Sequence, residues 1–144
     1  MLNQEEIKKI LPHRDNMLLV EEAESVDENT AKGRYTIKGD EFFLQGHFPD
    51  NPVVPGVILC EMAAQSSCLL MADKVRGKLT LYAGMNNVKF KQSVYAGDTV
   101  SFTCSHVRSL GAFHFIKAEG RVGEKLCLSG EFSFALVDKK EKEE

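Results

Sequence analysis

Sixteen consecutive residues, 57–72 (VILCEMAAQSSCLLMA), carry a single charged side chain, Glu61. The run is too long for an ordinary strand, and its other polar groups are Gln65, Ser66 and Ser67. It predicts a helix packed on nearly all sides, so the rest of the chain has to supply the surface that covers it. A carboxyl inside such a helix is costly to ionise, so Glu61 is expected to have a raised pKa and a partner or a purpose. Just before the helix, Pro49, Pro52 and Pro55 each fix their own φ and bias the preceding residue toward extended geometry. Residues 46–55 therefore form a stiff irregular loop, with His47 at its head. Pro55-Gly56 then delivers the unpaired amides of a helix start. A buried carboxyl, a histidine on a rigid loop and free first-turn amides together suggest acid/base chemistry.

A length of 144 residues fits one domain, 1–144, and an apolar content of 43% is enough to bury a core. The net charge of −3 and the scattered Lys and Arg residues give no basic footprint for nucleic acid. Cys60, Cys68, Cys104 and Cys127 form no C-x-x-C pair and have no ligand-like spacing to a histidine, so they read as small buried apolar residues and not as metal ligands. No signal-peptide pattern opens the chain and no apolar run reaches membrane-spanning length. A cytoplasmic, reduced protein is expected.

Asn3 and Glu6 have capping-box spacing, which predicts a short helix over residues 4–10 ended by Pro12. His13 and Arg14 follow in a loop, where His13 reads as a hydrogen-bonded anchor. Alternation over 17–25 and 30–38 around Asp27-Glu28-Asn29 predicts a hairpin. The apolar helix should end near Val75, with Lys74 and Arg76 at its negative end and Gly77 as C-cap. Four more strands, 79–91, 99–108, 113–122 and 126–137, should then form an antiparallel meander. Residues 138–144 form a charged tail for which disorder is expected.

The spacing G-H-F-P-x-x-P-x-x-P-G-V followed by E-x-x-A-Q is carried by Gly46, His47, Phe48, Pro49, Pro52, Pro55, Gly56, Val57, Glu61, Ala64 and Gln65. It resembles the motif of the 3-hydroxyacyl-acyl-carrier-protein dehydratases of type II fatty acid synthesis. L-P-H-R at 11–14 and F-K-x-x-V-x-x-G-D at 90–98 agree with it, although Asn16 and Ala96 stand where the family commonly has proline. The resemblance implies an α+β hot-dog fold, a curved antiparallel six-stranded sheet wrapped around one long buried helix. It also implies a homodimer, commonly a trimer of dimers, with an acyl carrier protein as the partner that delivers substrate. Glutamate at 61 favours the dehydratase branch over the dehydratase/isomerase branch, which commonly carries aspartate.

Dehydrating a 3-hydroxyacyl thioester removes a proton beside the carbonyl and gives one to the departing hydroxyl, which requires neither a metal nor a redox cofactor. His47 suits the base, because imidazole titrates near neutrality, and a buried Glu61 suits the acid. The amides of Gly56 and Val57 are placed to hold the thioester oxygen. The family implies that His47 and Glu61 meet across the dimer interface. Gln65, one turn after Glu61, reads as support for the carboxyl or as a helix-pairing contact. Phe42, Phe43, Ile58, Met62, Met85 and Phe90 are the candidate acyl-tunnel residues, and Arg14, Lys89 and Lys91 the candidate carrier-protein contacts. Two competing readings are a hot-dog thioesterase, which would hydrolyse the same substrates, and a non-catalytic acyl-binding subunit.

Overall fold

A computed structural model of the chain describes residues 1–72 and 78–138. Among these residues, two α-helices and six strands occur in the order α1 (Gln4–Ile7), β1 (Glu22–Asp27), β2 (Thr30–Thr36), α2 (Gly56–Ser66), β3 (Lys78–Phe90), β4 (Thr99–Leu110), β5 (Phe113–Val122) and β6 (Lys125–Asp138). The strands form one antiparallel sheet in the order β1-β2-β4-β5-β6-β3. This is the six-stranded sheet with one main helix expected of the hot-dog fold.

The period-2 signal explains which face is inside. On β2, Ala31, Gly33 and Tyr35 are buried while Lys32 and Arg34 point out, and on β6 Leu128, Gly130, Phe132, Phe134 and Leu136 are buried. Together with Phe102 and Cys104 from β4 and Ile116 and Ala118 from β5, they cover the inner side of α2 through Leu59, Cys60, Met62 and Ala63. A smaller cluster of Ile7, Leu11, Leu18, Val20 and Ala23 seats α1 and the segment after it. Cys60, Cys104 and Cys127 are buried and lie outside any disulfide.

Four expectations are corrected. The last four strands do not form a simple meander, because β3 pairs with β6 at the far edge and β4 pairs with β2. The connection from β3 to β4 is fastened along the way by Val54 N–H to Val94 O (2.9 Å) and Gly97 N–H to Ile37 O (2.7 Å), which carry the chain back to β2. The α-helix stops at Ser66, and a 3-10 turn, Cys68–Met71, continues the run. Ser67 Oγ donates to the Ala64 carbonyl at 2.6 Å, so a side chain competes for helical backbone just where the helix ends. The proposed cap at Lys74, Val75, Arg76 and Gly77 lies outside the described residues. Finally, α1 is one turn, closed by the expected capping box: Asn3 Oδ1 accepts from Glu6 N–H at 3.0 Å. Residues 17–21 belong to a 3-10 turn and an irregular link rather than to β1. Asp138 ends β6 and pairs with Lys78 at 3.0 Å, and the remainder of the charged tail, 139–144, is outside the described residues.

The sheet edges are unequal. At β1, Leu2 forms an antiparallel bridge with Ala23 that covers part of the edge. At β3, thirteen residues long, Leu81, Tyr82, Met85 and Phe90 are all substantially exposed. Among the described residues no helix is long and apolar enough to cross a membrane.

Candidate active site

Gly46 begins the His47 loop with φ +84°, a conformation that a side chain would strain. His47 follows, and its backbone is fixed at both ends: its N–H donates to Leu44 O (3.2 Å) and its carbonyl accepts from Val53 N–H (2.8 Å). The ring stacks on Phe48, with centroids 4.4 Å apart. His47 Nδ1 lies 3.0 Å from the Val53 carbonyl oxygen. A carbonyl can only accept, so Nδ1 carries the hydrogen and Nε2 is left with its lone pair. The proline-rich loop therefore fixes the tautomer of the imidazole as well as its position.

His47 opens into a groove with Gly56, Val57 and Leu59 from the start of α2, Phe90 from the end of β3, and Lys91, Gln92 and Ser93 beyond it. Pro55 precedes α2 and makes no side-chain cap, so the amides of Gly56 and Val57 are uncapped at the positive end of the helix. Gly56 is required by a close approach, since a Cβ there would stand 2.9 Å from the Phe90 ring.

Glu61 lies about five residues further on, roughly 7 Å along the helix axis, and lines a different cavity. Its neighbours there are His13, Leu11, Gln65, Thr80, Tyr82 and Phe134, with Ile10, Ala64 and Met71 completing the wall. Burial pushes the Glu61 carboxyl above its ordinary range, and the Gln65 amide pulls it the other way. In one chain, then, His47 and Glu61 do not share a cavity.

Gln65 is almost wholly buried and ties helix to loop. Its Oε1 accepts from Leu19 N–H at 2.7 Å and its Nε2 donates to Met17 O at 2.8 Å, leaving the second Nε2 hydrogen for Glu61. It is thus an intrachain clamp and not a helix-pairing contact. Of the tunnel candidates, Phe90 lines the His47 groove. Phe43 and Met62 are in the closed core, and Phe42 packs edge-on against Phe43. Ile58 is half-buried against that core, and Met85 is exposed on β3. Arg14 spends its guanidinium on the carbonyls of Leu11 (2.8 Å), His13 (2.7 Å) and Lys8 (3.0 Å), so it acts as a loop strut. Lys89 is exposed on β3, and Lys91 stands at the groove.

His13, which the sequence offered only as a hydrogen-bonded anchor, and Tyr82, which it did not single out, are neighbours of Glu61; the His13 ring anchors no loop, since its Nδ1 has no hydrogen-bond partner. His13 Nε2 is 3.8 Å from Glu61 Oε1, and Tyr82 donates its hydroxyl to the Cys60 carbonyl beside it. L-P-H-R marks His13 as worth placing, but its contact with Glu61 spans 48 positions and leaves no local signal. Among the described residues no group of three His, Cys, Asp or Glu is placed to hold a metal ion.

Comparison with known proteins gives one answer at the level of family. The family described as ApeI dehydratase matches residues 23–131. A 3-hydroxyacyl-acyl-carrier-protein dehydratase, FabZ, of Clostridium perfringens is 39% identical over 138 residues, covering 94% of this chain and 99% of the relative. FabZ of Streptococcus pneumoniae is 41% identical with the same coverage. The dehydratase heterocomplex ApeI:P from Xenorhabdus doucetiae shares the fold, with a TM-score of 0.79 at 19% identity over 92% of this chain and 91% of that one. Motif, sheet order and full-length similarity agree: the chain belongs to the 3-hydroxyacyl-acyl-carrier-protein dehydratase family, among the ApeI-like dehydratases.

Proposed function

We propose that the protein removes water from 3-hydroxyacyl groups carried on acyl carrier protein, giving the trans-2-enoyl thioester in fatty acid synthesis. The observation that carries this reading is a tautomer-fixed imidazole sharing one groove with the uncapped amides of α2. With the thioester oxygen on the Gly56 and Val57 amides, negative charge developing there is held at the positive end of a helix. His47 Nε2 takes a proton from C2, the electron pair left behind forms the C2–C3 double bond, and the C3–O bond breaks. Glu61 gives its proton to the departing hydroxyl, and water leaves. Passing the proton on His47 back to Glu61 restores both groups.

Glu61 reaches this substrate from a second copy. The outer face of α2 presents Val57, Ile58, Glu61 and Ala64 at helical spacing, with Val57 73% exposed, and the β3 edge beside it is long, apolar and unpaired. Pairing β3 with β3 about a two-fold axis covers both features at once and brings two helices together. Each site then takes His47 from one chain and Glu61 from the other. Phe90 and Lys91 at the groove fit the start of an acyl path and an acidic carrier protein.

The test is incubation with 3-hydroxybutyryl carrier protein, following the ultraviolet absorbance of the conjugated enoyl thioester. Absorbance should rise with no free thiol released. Thiol release without enoyl product would identify a thioesterase instead.

A further inference from the structure

The Glu61 cavity contains an imidazole that the reaction above does not use. His13 is held there from two sides. Arg14 folds residues 8–14 onto its own guanidinium through three backbone carbonyls, and Gln65 grips Met17 and Leu19 just beyond. Between these clamps the imidazole lies against α2, with Nε2 3.8 Å from Glu61 Oε1. His13 Nδ1 is buried without a hydrogen-bond partner. A buried N–H with no acceptor costs more than an unused lone pair, so the hydrogen belongs on Nε2, pointing toward the carboxyl.

We propose that His13 is a positioning residue for Glu61: its Nε2–H stabilises the carboxylate left when the proton departs, and so sets how readily Glu61 acts as an acid. The separation of 3.8 Å is longer than a hydrogen bond, and it is closed by a small swing of the Glu61 side chain or by one water, for which the cavity of about 40 Å³ has room. Burial, with the Arg14 guanidinium beside it, holds His13 below its ordinary pKa, so it meets Glu61 as a neutral donor at neutral pH. A neutral donor eases proton release without fixing Glu61 as a permanent anion, which a cation at the same place would do. The other titratable groups facing Glu61 are Tyr82 from β3 and Cys60 on α2, and burial raises both, Cys60 to about 11, so neither titrates in the working range. The inference rests on the proposed acid role of Glu61, which adds His47 of a second copy to that set.

The test reads the carboxyl directly, in full-length protein without substrate, by carbon-13 NMR of labelled glutamate with the Glu61 signal assigned from Glu61→Gln. His13→Phe keeps the ring volume and removes the N–H, and it should move the Glu61 titration up by about one pH unit. The alkaline limb of the kcat profile should move the same way, with kcat lowered about tenfold. His13→Gln supplies an N–H and should return the titration toward wild type. Should His13→Phe not fold, His13→Met is the second variant without the donor. An unshifted Glu61 in a folded donor-free variant overturns the proposal, as does a His13→Gln shift equal to that of the donor-free variant. Absence of enoyl product with the wild-type protein would instead sink the assigned reaction and leave the titration result standing.

Discussion

The groove around His47 and the cavity around Glu61 are lined by successive turns of one helix, yet they impose opposite environments. In the groove, the imidazole is held by backbone groups, Nε2 is free, and Lys91, Gln92 and Ser93 give it a polar border. In the cavity, Leu11, Met71, Tyr82 and Phe134 surround a carboxyl whose ionisation burial opposes. A base has to present a lone pair, and an acid has to keep its proton; an open polar groove and a more apolar, half-buried cavity supply these two needs separately. Putting them in different cavities lets each be tuned without disturbing the other. The consequence, on the proposed reading, is that a lone chain holds two half-sites and no whole one.

The most direct attempt to break this comparison is to cripple each half in turn. His47→Ala and Glu61→Gln should each lower dehydration by about 10²–10⁴-fold, the usual range for acid/base groups. Co-expressing the two variants should restore about a quarter of wild-type activity, since half of randomly formed pairs are mixed and each holds one intact site of two. A mixture no more active than its parents would mean that both groups serve from the same chain.

The two cavities also differ in how they are built, which the next variants sharpen. The Glu61 side depends on a long-range clamp, so Gln65→Leu leaves the buried Leu19 N–H without a partner and releases the half-buried Met17 C=O. At about 1–3 kcal/mol for the orphaned Leu19 N–H, Tm should drop by roughly 5–10 °C, and an unchanged Tm would show that the clamp is dispensable. The His47 side depends on a close approach. Gly56→Ala sets a methyl 2.9 Å from Phe90, and the resulting displacement should cost about 1–3 kcal/mol. It should also raise KM through the groove while leaving the Glu61 titration in place. Equal damage to both readouts would show that the cavities are not independent.

How much of this was legible depends on how far apart the partners are in the chain. Turn residues, alternation and the capping box are local, and they placed the hairpin turn and strands β4, β5 and β6 to within a few residues. The His47 loop and the start of α2 were legible for the same reason: proline stiffness and a missing cap are properties of neighbours. What failed was long-range. Alternation reveals that 79–91 is a strand but not that it lies beside β6, because that depends on where the following connection is fastened, at Ile37 and Val54. Gln65 reads as one polar residue on a helix until residues 17–19 are folded against it. Arg14 is exposed in sequence terms, yet three nearby carbonyls claim its charge. The helix end was misread because apolar composition persists past Ser66 while the Ser67 hydroxyl diverts the backbone.

The subtlest consequence of burying Glu61 is a stability cost that the acid imposes on its own fold. Glu61 has its folded pKa raised above the ordinary 4.5, with burial as the cause. Between those two values the folded chain binds more protons than the unfolded one, so stability falls as pH rises. Below the unfolded value the cost is absent, and above the folded value it is complete. Glu61→Gln removes the ionisable group while keeping the shape, so the variant should be more stable than wild type in alkaline buffer and gain little or nothing near pH 4. Thermal denaturation of both proteins from pH 4 to pH 8 measures the difference. A gain that widens with pH places the cost in the ionised carboxylate; a difference that is flat, or narrows, would mean that Glu61 ionises as easily in the fold as outside it, and the distinction between the two cavities would then lie in geometry alone.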